Sequence, residues 1–254
     1  MAVLVGSLWH MPGSLSAPVR PSVKNAYAFI DILPPGAKVL VAWDYDPATQ
    51  GEMQLLAQAI LHHLQRKGTY VVFMSLRPFG PNVAADAQAL TQRLAPGIAL
   101  AAPPPSQLGY LPGDSIALRS LALSPVNASS QPKISALTTG MHPAQDVDAF
   151  DLIIQITSDM TSSREWVEQV AARSNTPLLV AASGAVAPLL RPYEQTHQIR
   201  VLLAGYPDAL AYEFLLGEEG PAVKQAASQT LLTALFLGII LIAALRSLFR
   251  TDHR

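Results

Sequence analysis

Two aspartates that flank a single tyrosine form the sharpest candidate chemical group in the chain. Asp44 and Asp46 follow the apolar run KVLVAW, which predicts a strand buried on both faces. Two carboxylates at the end of such a strand could hold Mg²⁺, or supply a nucleophile and an acid. One interpretation of the pair is therefore a metal-dependent hydrolase.

A structural role is the competing interpretation of the same pair. Asp46 precedes a proline at a predicted helix start, where aspartate commonly caps a turn, and Asp44 would then hydrogen-bond loop amides. The spacing also resembles the first motif of haloacid-dehalogenase-type phosphatases, with Ser75 in the place of their second motif. Two departures favour the structural role. Ala48 stands where those enzymes favour Thr or Val, and Asp159 lacks a second acidic residue nearby.

Further polar residues stand at the ends of the predicted strands, where ligands bind in open parallel sheets. They are Ser75 and Arg77, Ser158 and Asp159, Ser183 and Gly184, and Gly205 and Tyr206. The loop LGYLPGD is a separate binding candidate, because Gly109, Pro112 and Gly113 predict tight turns and Tyr110 adds an aromatic side chain. A plain structural turn is the alternative. The chain has no GxGxxG, P-loop, GxSxG or HExxH motif, so no cofactor is predicted.

Alternating strands and helices must position these candidates. Five apolar runs predict strands, namely KVLVAW, YVVFMSL, DLIIQIT, PLLVAAS and IRVLLAG. Helical periodicity lies between them, which predicts an α/β fold with a doubly wound, mainly parallel five-stranded sheet of Rossmann-like or flavodoxin-like type. We assign an irregular N-terminal segment to residues 1–35 and the α/β domain to residues 36–217. An insertion at about residues 95–148 interrupts the alternation.

Two of the predicted helices carry capping-box spacing. Thr49 with Glu52, and Ser162 with Glu165, each place an acidic residue three positions after a hydroxyl residue. The second of these helices should turn Trp166 inward, as a core residue rather than a ligand platform.

The C-terminal region predicts a single transmembrane helix. Between Lys224 and Arg246 lie 21 residues without a charge, which as an α-helix would rise about 31 Å, close to the hydrocarbon thickness of a bilayer. The segment is apolar on every face rather than striped, unlike most core helices. We therefore assign a transmembrane helix to residues 225–247 and a basic tail to residues 248–254.

Charges beside this helix predict its orientation. Arginines at positions 246, 250 and 254 outweigh Lys224 on the other flank, so the tail should face the cytoplasm and the domain should be extracytoplasmic. The apolar start MAVLVGSLWHMPGS is too short for a signal peptide or a membrane span, so one hypothesis is that it is the remnant of an N-terminal transmembrane helix that begins upstream of Met1. A cytoplasmic domain with a C-terminal anchor is the alternative.

Several longer segments together resemble a family of bacterial membrane-anchored Rossmann-like α/β proteins without an assigned biochemical role. They are LPPGAKVLVAWDYDPATQGEM, HHLQRKGTYVVFMSLRPFGP, LGYLPGD, REWVEQ with PLLVAASGAVAPLLRPY, and LLAGYPDALAYE. The resemblance implies an exported domain between membrane helices at the bacterial cell membrane, and it supplies no catalytic residues.

Composition argues against two further classes of function. The chain has 17 basic and 18 acidic residues with no basic patch outside the tail, so no nucleic-acid partner is predicted, and it has no cysteine for thiol chemistry. We expect a membrane-anchored, non-catalytic binding or scaffolding protein that contacts lipid through residues 225–247 and a membrane-associated protein partner through its domain. The alternative is a phosphatase-like hydrolase that uses Asp44 and Asp46 with Mg²⁺.

Overall fold

A six-stranded parallel sheet forms the centre of the molecule. The computed structural model describes residues 19–94, 103–123, 147, 150–217 and 220–251. The strands are β1 (Lys38–Asp44), β2 (Tyr70–Ser75), β3 (Ser106–Tyr110), β4 (Leu152–Thr157), β5 (Leu178–Ala182) and β6 (Val201–Ala204). They lie in the order β3-β2-β1-β4-β5-β6, with every neighbouring pair parallel. This order, with its reversal between β1 and β4, is that of Rossmann-type rather than flavodoxin-type sheets.

The sixth strand corrects the predicted count of five. Strand β3 lies at the edge of the sheet, and its sequence SQLGY offers no apolar run or regular alternation. Its pairing with β2 is also irregular, because the register shifts between Phe73 and Met74. Part of the candidate loop LGYLPGD therefore belongs to a strand.

The described part of the chain contains eight helices, of which the first seven cover the two faces of the sheet. They are α1 (Pro21–Asp31), α2 (Gln50–Arg66), α3 (Gly80–Leu94), α4 (Asp114–Leu123), α5 (Met160–Trp166), α6 (Ala187–Gln195), α7 (Gly205–Leu216) and α8 (Pro221–Thr251). A 3₁₀ turn over Pro47–Thr49 precedes α2, and a π-helical stretch over Val167–Ala171 continues α5. The α/β expectation is confirmed at this level.

The central strands are apolar throughout because both of their faces are covered. On β1, Val39, Val41 and Trp43 enter the core beneath α1, α2, α3 and α7. Leu40 and Ala42 enter the second core, which α4, α5 and α6 cover. Such burial on both sides is why these strands are continuous apolar runs rather than alternating ones.

The last helix begins in the domain core and then leaves it. In its first two turns, Ala222 and Ala226 are buried against the domain. The stretch Pro221–Ala243 is long and apolar enough to cross a membrane, and almost none of it is covered by the rest of the described chain.

Several predicted segments lie wholly or partly outside the described residues. Most of the N-terminal segment (1–18) and much of the predicted insertion (95–102, 124–146 and 148–149) belong to this group, as do residues 252–254 of the basic tail. The described part of the insertion holds β3 and α4.

Candidate functional site

The Asp44 carboxylate lies at the point where the strand order reverses, and it is completely buried. Four donors surround its two oxygens. The Leu76 amide donates to Oδ1 at 2.8 Å. Gln155 Nε2, Ser162 Oγ and Trp166 Nε1 donate to Oδ2 at 2.9, 2.7 and 2.8 Å. A buried carboxylate with this many donors is satisfied by the protein itself.

These donors come from both sides of the reversal point. Leu76 follows β2, Gln155 lies on β4, and Ser162 and Trp166 lie on α5. The carboxylate thereby ties the neighbours of β1 to the helix after β4. Sequence reasoning identified Asp44 and a loop-amide role for it, but it missed these side-chain donors. Trp166 is fully buried as predicted, although its indole N–H also serves as a donor.

Asp46 is exposed at the start of the 3₁₀ turn and lies apart from this network. Its side chain makes no capping bond, and its main-chain carbonyl instead accepts the amide of Thr49 at 3.0 Å and the hydroxyl of Thr49 at 3.0 Å. The aspartate therefore caps the turn through its backbone. The two carboxylates thus differ sharply in environment, since Asp44 is enclosed and Asp46 faces solvent.

Neither predicted capping box forms the hydrogen bonds expected of it. Thr49 occupies the N-cap position of α2, yet its hydroxyl bonds outside the helix and Glu52 reaches another loop. At α5 the cap is Asp159, whose carboxylate accepts the Thr161 amide at 2.9 Å. Ser162 lies inside the helix, where Asp44 binds its hydroxyl. Long-range partners at the reversal point compete successfully with the local capping bonds.

Two side-chain contacts bridge the loops that follow β1, β2 and β4. The hydroxyl groups of Thr49 and Ser158 form a hydrogen bond of 2.9 Å, which joins the loop after β1 to the loop after β4. Arg77, from the loop after β2, forms an ion pair and hydrogen bond with Asp159. The predicted residues Arg77, Ser158 and Asp159 are therefore brought together as partners of one another.

Ser75 is buried beneath the same loops and makes structural contacts. Its hydroxyl lies 2.5 Å from the Trp43 carbonyl and 3.4 Å from Asp44 Oδ1, and it accepts the Arg77 amide at 2.8 Å. Gly80 packs directly against it, because a Cβ atom at Gly80 would lie 1.9 Å from Ser75 Oγ and 2.6 Å from the Trp43 carbonyl oxygen. This close approach seats α3 on the ends of β1 and β2.

The ends of β5 and β6 meet a carboxylate from α2. Glu52 accepts the amide of Gly184 at 2.9 Å. A Cβ atom at Gly205 would lie 2.2 Å from Glu52 Oε1, and Gly205 has a φ of +57°. Ser183 is buried, with its amide donated to the Thr157 carbonyl at 3.0 Å. Tyr206 turns away from these residues toward the carbonyl of Ala222.

The candidate binding loop is divided between a strand and a turn. Gly109 and Tyr110 pair with Met74 and Ser75 as the end of β3. Gly113 adopts a φ of +109° in the turn that starts α4, and Gly109 a φ of +77°. Tyr110 is partly exposed, so it is accessible from the rim of the sheet.

The arrangement as a whole stiffens the edge of the sheet. In the described part of the chain, no group of three or more His, Asp or Glu side chains could hold a metal ion. The candidate residues mostly bond one another, and the two oxygens of Asp44 accept hydrogen bonds of 2.7 to 2.9 Å from Leu76, Gln155, Ser162 and Trp166. These side chains form hydrogen bonds and an ion pair that join the loops.

In comparisons with known proteins, the chain matches no protein-family model and no curated protein sequence, so the family resemblance stays a prediction.

Proposed function

We propose that the protein is a membrane-anchored binding or scaffolding protein whose α/β domain contacts a partner protein at the membrane. The observation that carries the proposal is the junction of α8 with the domain. In the first two turns of α8, Ala222 and Ala226 belong to the domain core, whereas the apolar surface from Ala227 to Ala243 is uncovered by the described chain. Lipid is the natural environment for such a surface.

The bonding at the end of the sheet supports a non-catalytic role for the domain. Asp44 is enclosed by four donors, while Arg77 pairs with Asp159 and Thr49 with Ser158. Catalytic carboxylates need access to a reacting atom, whereas these side chains hold loops in place. A rigid surface of this kind suits recognition of another protein, because little ordering is required on binding.

Photocrosslinking of the full chain in its membrane tests the proposal. A photoreactive phenylalanine analogue replaces one of two exposed aromatic residues, Tyr70 or Phe214, in separate variants. We expect a discrete heteromeric adduct after irradiation from at least one site, and the same partner after purification in mild detergent. Samples without irradiation serve as controls. Absence of an adduct at both sites, together with recovery as a lone monomer, would contradict the proposal.

A further inference from the structure

The contacts of Ala222 define the direction in which α8 runs. In an α-helix, N–H groups point toward the N-terminus and C=O groups toward the C-terminus. The Ala222 amide donates to Glu213 at 3.0 Å, near the end of α7, and the Ala222 carbonyl accepts the Tyr206 hydroxyl at 3.2 Å, near the start of α7. Helix α8 therefore runs from the level of Glu213 toward that of Tyr206, antiparallel to α7.

The junction holds this direction firmly. The buried Glu213 carboxylate accepts the amides of both Ala222 and Val223, the latter at 2.9 Å. Gly217 ends α7 with a φ of +72°, a left-handed conformation that lets the chain reverse. A Cβ atom at Gly220 would lie 2.3 Å from the Glu213 carboxyl carbon, so the returning chain passes very close to α7.

Helix α8 consequently leaves the domain on the side where the strands end. Helix α7 begins directly after β6, at the carboxyl edge of the sheet, which we define as the last residue of each strand and the connection that follows it. No side chain between Ala227 and Ala243 is buried, and the charge-free stretch has already begun at Gln225. A bilayer that surrounds this stretch must lie close to the carboxyl edge.

Four exposed apolar side chains lie along that edge. Phe79 precedes α3, Tyr110 ends β3, Ile116 lies in the first turn of α4, and Leu189 lies in the first turn of α6. They come from the connections after β2, β3 and β5, so they are distributed over the edge rather than collected in one loop. Apolar and aromatic side chains of this kind are favoured in the interfacial layer of a bilayer.

We propose that the carboxyl edge of the sheet rests on the bilayer surface, with Phe79, Tyr110, Ile116 and Leu189 in contact with its interfacial layer. The occupant of this surface is lipid, because the edge is continuous with the uncovered part of α8. The contact is made by uncharged side chains, and Arg77 at this edge is paired with Asp159. It is therefore expected in zwitterionic vesicles. The inference rests on the proposed anchoring by α8.

Single-cysteine labelling tests the contact, and the chain is suited to it because it contains no cysteine. Ile116→Cys and Ile32→Cys form a matched pair, since each isoleucine is 75 % exposed and they lie at opposite edges of the sheet. Each full-length variant carries an environment-sensitive fluorophore in phosphatidylcholine vesicles that contain a brominated lipid. Leu237→Cys in α8 reports whether the helix itself is inserted.

The expected result is strong quenching at position 237 and at least about twofold stronger quenching at position 116 than at position 32. Leu189→Cys should behave as Ile116→Cys does. If position 237 is quenched but positions 116 and 189 are quenched no more than position 32, this inference alone would be overturned. Lack of quenching at position 237 would instead overturn the anchoring on which it rests, and the inference with it.

Discussion

At the residue scale, Asp44 organises the centre of the candidate site. Replacing it with Asn keeps its shape but turns an amide group toward four donors, so at least one buried pair becomes repulsive. We expect Asp44→Asn to lower the free energy of unfolding by about 2–4 kcal/mol. Thermal and urea unfolding in mild detergent, followed by circular dichroism, measures the change. The exposed control Asp46→Asn should leave stability nearly unchanged.

The Asp46→Asn variant also tests the hydrolase alternative, which stays a prediction. If both aspartates act with Mg²⁺, the well-folded Asp46→Asn variant should lose a phosphatase activity that the wild-type chain shows. The scaffold account expects no difference between the two chains in Mg²⁺-dependent hydrolysis of a phosphomonoester. Activity that depends on Asp46 would contradict that account.

His63 is a second buried group with a measurable consequence. Its Nδ1 lies 2.8 Å from the Tyr212 hydroxyl, and its ring stacks on Tyr27 with centroids 4.5 Å apart. Burial lowers its pKa from 6.5 to about 4, against the opposing effect of Asp31. Between these two pH values the unfolded chain binds a proton that the folded chain does not. Stability should therefore fall as pH drops through this window.

The free energy of unfolding should fall by about 3 kcal/mol across this window, and the fall should level off below about pH 4. Unfolding of the wild-type chain and of His63→Gln at pH 7, 5.5 and 4 isolates the contribution of this residue, because other groups titrate in both. If the free energy of unfolding changes with pH in the same way in both chains, His63 does not cause the loss of stability.

At the element scale, the seating of α3 depends on one glycine. A methyl group at Gly80 would collide with Ser75 and with the Trp43 carbonyl, and the latter belongs to the backbone of a central strand. We expect Gly80→Ala to destabilise the fold by about 1–3 kcal/mol. Gly51→Ala is the matched control, since nothing lies within 4 Å of the added atom in α2. That control should stabilise the chain by up to about 1 kcal/mol. Equal effects of the two changes would refute this explanation.

The junction between α7 and α8 gives a second element-scale prediction. Glu213→Ala removes the acceptor for the amides of Ala222 and Val223, which should cost about 1–2 kcal/mol. Hydrogen exchange at these two amides should become faster in the variant. Glu213→Gln retains one acceptor oxygen and should show a smaller effect. If all three chains exchange alike, Glu213 does not fix the start of α8.

Local sequence patterns predicted the strands and helices themselves better than the contacts between them. The apolar runs around Val41, Ile154 and Val180 identified central strands, because burial on both faces leaves an unmistakable composition. Strand β3 escaped detection, since an edge strand with half-exposed polar residues has no such signal. The hydrogen-bond donors to Asp44 could not be predicted from the sequence either. Trp166 lies 122 positions away, and no local spacing relates the two residues.

At the scale of the whole molecule, the strand order and the helix junction together define an architecture. The sequence predicted a sheet and an apolar C-terminal helix, but their relative direction depends on the bonds of Ala222 to Glu213 and Tyr206. Those bonds direct α8 past the carboxyl edge, where the candidate residues also lie. A partner protein that contacts the rest of the domain would meet it close to the bilayer, which agrees with a scaffold held at a membrane.

The central claim is that α8 anchors the protein in a membrane, and alkaline carbonate extraction tests it most directly. Membranes from bacteria that produce the full chain are extracted and then floated on a density gradient. The wild-type chain should stay with the lipid. Retention should decrease in Ile239→Arg, because an arginine near the helix centre costs about 2.5–3.5 kcal/mol of insertion free energy. Quantitative release of the wild-type chain into the carbonate supernatant would contradict the account.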